Sequence, residues 1–162
     1  MKTSTKHKLF WILTPLAVGL LVPSATILGL QVFVGGISPF TAIADVLKRQ
    51  FAEGHNLFLL ALFGLIPFAV LSVTCFVASH RLSPARLSCL GVGGLLGILC
   101  LMVPAHVSVW YPLYGGGHMS STAVIAFVFI PFYCLVPLLV GLIVGWGVSL
   151  LPFIRNDRNQ FA

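Results

Sequence analysis

Three histidines in this chain stand where they could share a task. His55 occurs in "EGHN", His106 in "VPAHVSVW" and His118 in "GGGHMSST". Each lies near one end of a long apolar stretch. Two or three imidazoles brought to one level would hold a metal ion or a haem iron. A single ring at that level would offer a hydrogen bond to a quinone head group. Glu53 and Met119 lie close in sequence to His55 and His118. Histidine is also amphipathic and rests readily where a helix leaves a bilayer, so interface placement alone accounts for the same pattern. No HxxxH spacing puts two of the three on one helix. His106 is the strongest candidate, because it lies furthest inside apolar sequence. His106, His118 and His55 are thus the candidate cofactor-binding residues.

Other chemistry is harder to find. The chain has no Walker loop, no dinucleotide fingerprint and no HExxH pair. Cys75, Cys89, Cys100 and Cys134 form no CxxC motif, and none falls in an outer loop, where an oxidising thiol pair would be needed. They read as small apolar residues. The interior of the apolar segments carries no Asp, Glu, Lys or Arg. Ion-coupled transporters usually need such groups along their pathway, so coupled transport by this chain alone is not expected.

The elements that would position the histidines follow from composition. Of 162 residues, 59% are hydrophobic and only 7% are charged, with a mean hydropathy of +1.08. A soluble domain has about 25% charged residues. The bilayer is therefore the expected solvent, and residues 1–162 read as a single integral membrane domain. The sequence pI of about 9.6 comes without a basic cluster, so no nucleic-acid partner is expected.

Four segments are apolar enough to cross. They run from about 9 to 35, 56 to 79, 84 to 109 and 120 to 153. The first follows Lys2, Lys6 and Lys8, as a signal peptide would. Pro23 and the apolar run reaching Val34 favour an uncleaved span. In the third, Ser83 and Pro84 are a helix start signal. The fourth is long for one crossing and short for two, and a bend is expected at Pro131. "YPLYGGGHMSST" joins segments three and four. Pro112 is expected to end one helix, the glycines to permit positive φ, and Ser120 and Ser121 to cap the next.

Between segments one and two, "SPFTAIADVLKRQFAEG" reads as an amphipathic helix over about 39–52, capped by Ser38. Phe40, Ile43, Val46, Leu47 and Phe51 share a face, with the charges largely elsewhere. Such a helix would lie in the outer headgroup layer, apolar face down. The fold class is therefore an all-α membrane protein, a four-transmembrane-helix bundle with one outer interfacial helix. Gly93 and Gly97 in segment three, and Gly141 and Gly145 in segment four, are each four apart. Small residues at that spacing let backbones approach, so these two segments are expected to pack together.

Seven of the nine basic residues fall on one side of this plan: Lys2, Lys6, Lys8, Arg81, Arg86, Arg155 and Arg158. The positive-inside rule then makes both termini cytoplasmic in a bacterial-type inner membrane. Trp11 and Trp146 would mark the inner interface, and Trp110, Tyr111 and Tyr114 the outer one. At the level of topology only, the plan resembles the immunity proteins that protect bacteria from pore-forming toxins. That implies a protein that acts by binding another membrane protein, as an accessory subunit or a protector. A redox, metal or quinone protein using the outer histidines is the alternative. A pore or lipid-handling protein, supported only by the kinks at Pro131 and Pro137, is a third. A reporter active only outside the cytoplasm should give signal when fused at Gly116 and none at Ala85. The reverse pattern would overturn the orientation.

Overall fold

The computed structural model describes residues 5–52, 56–118 and 123–151. Among these, α1 (Thr5–Phe33), α2 (Pro39–Lys48), α3 (Leu57–Ala78), α4 (Pro84–Tyr114), α5 (Ala123–Tyr133) and α6 (Leu135–Ser149) follow in order. α1, α3, α4 and the stretch Ile125–Ser149 are long and apolar enough to cross a bilayer. The protein is a multi-pass membrane protein built as a four-helix bundle. The end away from α1's first residue and α6's last is called the outer end.

Four boundaries differ from the sequence reading, and one is the end of α2, which comes at Lys48 and not near 52. α1 begins at Thr5, so Lys6, His7 and Lys8 are helical. α4 runs five residues beyond 109 and passes through Pro112. Proline removes only the bond to the carbonyl four residues back, and its φ suits a helix. The stop comes from glycine instead. Gly116 takes φ 82°, and the Gly117 amide donates to Pro112 O at 2.8 Å, closing the last turn. The fourth crossing is interrupted at Cys134, not at Pro131. Pro137 has no amide for the Tyr133 carbonyl, so the ladder fails there. The flanking bonds Cys134 N to Ile130 O and Leu138 N to Cys134 O persist, at 3.0 and 3.1 Å. Ser120 and Ser121 lie outside the described residues.

Two helix pairs make the closest contacts. A Cβ added at Gly93 would strike Gly141 O, one at Gly97 would strike Pro137 O, and one at Gly145 would strike Cys89 O. α4 and α6 thus touch backbone to backbone along the glycines. In the α1–α3 pair, Phe68 fills the notch at Gly19, where an added Cβ would lie 2.6 Å from its ring. Pro15, Pro23 and Pro67 are fully buried. The proline rings therefore face into the bundle.

The inner ends of α1, α3 and α4 are level. Ser72 Oγ donates to Ile12 O at 2.9 Å, Trp11 Nε1 donates to Ser88 Oγ at 3.3 Å, and His7 Nε2 lies 3.1 Å from Pro84 O. Their lengths differ: 29, 22 and 31 residues, or roughly 44, 33 and 46 Å at 1.5 Å per residue. The shortfall of α3 falls at the outer end and is about one helix diameter. α2 occupies that step.

Gly93→Leu, Gly97→Leu, Gly141→Leu and Gly145→Leu should each destabilise the bundle by about 1–3 kcal/mol through overpacking. Gly147→Leu should not, because an added Cβ there meets nothing within 4 Å. Thermal unfolding in detergent checks both expectations.

Candidate functional site at the outer end

α2 starts as its sequence demands. Pro39 takes the first helical position, and Ser38 Oγ accepts from the Thr41 amide at 3.4 Å. Its far end is tied into α3. The Leu57 and Phe58 amides donate to Arg49 O and Gln50 O, both at 3.1 Å, so the end of α2 caps the start of α3. Asn56 Oδ1 completes the cap by accepting from Leu59 N at 2.8 Å.

It turns two small apolar side chains inward and leaves most of the expected apolar face outward. Ala42 and Val46 are buried, but Phe40, Ile43, Leu47 and Phe51 are exposed. The polar side faces α1 instead. Gln31 Nε2 donates to Asp45 Oδ2, and Gln50 Nε2 donates to Ser24 Oγ at 2.9 Å. Ser24 and Gln31 are two turns apart on α1. α2 therefore descends along α1 and does not lie across it. Arg49 Nε pairs with Asp45 Oδ2 at 2.8 Å.

The candidate histidines are not brought together by the described residues. His55 lies outside them. His118 is exposed in the turn after α4. His106 is 2% exposed, with Nδ1 2.9 Å from Met102 O. A carbonyl only accepts, so Nδ1 carries the proton, and in a neutral ring Nε2 keeps the lone pair. The His106 ring lies 5.5 Å from that of Phe127, which in turn lies 5.3 Å from Trp110. Among the described residues, no group of three His, Cys, Asp or Glu side chains could hold a metal ion.

A different set does converge. Met102, His106, Trp110 and Tyr114 recur every fourth residue along one side of α4. Trp110 is as buried as Trp11, so both pack into the bundle and neither serves as a belt residue. Trp146 keeps an exposed position. The Tyr114 hydroxyl lies beside Gln31, in the joint field of Arg49 and Asp45. Yet Gln31 Oε1, Trp110 Nε1 and Tyr114 Oη are buried without a hydrogen-bond partner. Gln31 was the detectable signal in the sequence, as a lone amide deep in an uncharged apolar run.

No family model, curated protein or solved structure matches this chain.

The Gln31–Asp45–Arg49 chain should hold α2 in place. Asp45→Leu removes a charge-assisted bond and should cost about 2 kcal/mol. A spin label at Ala44, which is exposed, should become markedly more mobile. Unchanged stability and label mobility would mean that α2 is held by Ala42 and Val46 alone.

Proposed function

We propose that this chain is a bacterial-type inner-membrane protein, with both termini cytoplasmic, that works by binding another membrane protein. It acts as an accessory subunit or an immunity-type protector and performs no chemistry of its own. The observation that carries this reading is the outward apolar face of α2. Asp45, paired with Arg49, is braced inward against Gln31, and the end of the helix is tied to α3. Phe40 (87% exposed), Ile43 (46%) and Leu47 (65%) then project outward at i, i+3 and i+7. That is the spacing by which an amphipathic helix engages an apolar groove on a partner. The row belongs to a helix that does not itself span the bilayer, and its backbone is fixed before any partner arrives. Little ordering entropy is then lost on binding. The partner that fits is a membrane protein with an apolar groove near the outer rim of the bilayer.

The orientation rests on the seven basic residues of the two termini and the "SHRLSPAR" loop. The redox alternative would rest on His106 as the one candidate histidine described in a buried place.

Photo-crosslinking residues at Phe40 and Leu47, expressed in native membranes, should each give one discrete protein adduct of the same partner. Ile143, an exposed α6 position, should give lipid adducts only. Phe40→Ser with Leu47→Ser should abolish the adduct formed from position 43 without lowering the melting temperature. Lipid adducts at every position would overturn the reading.

A further inference from the structure

Trp11 and Trp110 sit at opposite ends of the bundle, equally buried, and only one has a partner. The Trp11 indole donates to Ser88 Oγ. The other buried polar side chains of the inner half are likewise bonded: Ser72 to Ile12 O, Ser79 to Phe76 O and Ser149 to Trp146 O. At the outer end, Gln31 Oε1, Trp110 Nε1 and Tyr114 Oη make no well-formed hydrogen bond, the Tyr114 hydroxyl meeting only the Gln31 side chain beside it. Gln31 is 1% exposed and Trp110 5%, so neither reaches open water.

Their chemistry defines what would complement them. An indole N–H can only donate, so it calls for an acceptor. An amide oxygen can only accept, so it calls for a donor. A phenol does both. Trp110 and Tyr114 stand about one turn apart on α4, about 6 Å along its axis. Two oxygens a few bonds apart meet both better than one oxygen does. Among the described residues, the charged groups acting on Tyr114 are Asp45 and Arg49, which neutralise each other at 2.8 Å. An ionised head group would break that pair, and an uncharged one would not. The Phe127 ring against Trp110 makes the inner wall apolar.

We propose that Gln31, Trp110 and Tyr114 form a binding site for the uncharged head group of an amphiphile that carries both a hydroxyl donor and an oxygen acceptor. Hydroxylated neutral lipids and quinols share this chemistry. The site is separate from the outward face of α2, and either assignment can stand without the other.

The test uses the full chain in phosphatidylcholine nanodiscs with isotope-labelled indole nitrogens, Trp110 being assigned through Trp110→Phe. Dioctanoylglycerol and a short-chain ubiquinol are titrated separately. The Trp110 resonance should move saturably with at least one of them, while Trp11 stays fixed. The arm that responds identifies the source of the head group. Trioctanoylglycerol, which lacks the hydroxyl, should move nothing. Tyr114→Phe and Gln31→Leu should each weaken binding about fivefold, the effect of one hydrogen bond. Melting in the same nanodiscs is followed for each variant. If one has unfolded, Trp110→Phe replaces it, with binding read by equilibrium dialysis of labelled amphiphile and the same loss expected. No saturable movement with either amphiphile, equal movement with the triester, or binding unaffected by the substitutions would overturn the proposal.

Discussion

Hydrocarbon offers helices no solvent-driven reason to associate, because lipid tails are as apolar as leucine. What remains is dispersion between surfaces that fit, and it is largest where backbones touch. The α4–α6 seam meets this constraint. Gly93, Gly97, Gly141 and Gly145 lack the one atom that would hold the helices apart, so carbonyls of each helix lie against glycines of the other. The α1–α3 pair solves the same problem differently, by sinking one large ring, Phe68, into the notch at Gly19. Two tight pairs fix the frame, and the outer ends of the helices follow from their lengths.

Those lengths create a problem that α2 resolves. A helix start in hydrocarbon cannot leave its first amides unbonded, since no water is there to take them. α3 starts about a helix diameter below the outer ends of α1 and α4. Its first amides are met by Arg49 O and Gln50 O at the end of α2. α2 is thus part of how α3 can be short. Once it is placed there, its polar side has to find polar partners inside the bundle, and Gln31 and Ser24 supply them. The exposed apolar row is the other side of the same arrangement.

The crossings were legible because a long uncharged run has few alternatives at this composition. The Ser38 cap was legible too, because its geometry is local. The seam glycines could be named from their spacing alone. The facing of α2 could not be read. Periodicity separates an apolar side from a polar one, but in a membrane both lipid and protein interior are apolar, so it does not say which of them the apolar side meets. The end of α4 was misplaced because Pro112 was weighed as a stop, when a proline two residues from the end of a helix interrupts little. Trp110 and Tyr114 read as interface anchors, since an amphipathic ring at a helix end usually is one. Gln31 carries no charge, and hydrogen-bonding capacity alone does not mark a site in an apolar run.

The contrast between the two ends of the bundle bears on where function lies. A buried polar atom without a partner costs about 1–3 kcal/mol. Against a total stability of roughly 5–15 kcal/mol, three such atoms are a large burden. Packing errors tolerated by selection would scatter over both ends. Instead the inner end is closed, with Trp11, His7 and Ser72 bonded across helices, and among the described residues the burden is confined to Gln31, Trp110 and Tyr114. The same end holds Asp45 and Arg49, charges on the one described helix that does not span the bilayer. Folding alone would be served by apolar side chains at all three unpaired positions. Strain of this kind collects where a protein has something to bind. The inner half of the bundle is closed by its own hydrogen bonds, and the outer end, under α2, holds polar groups that packing does not require.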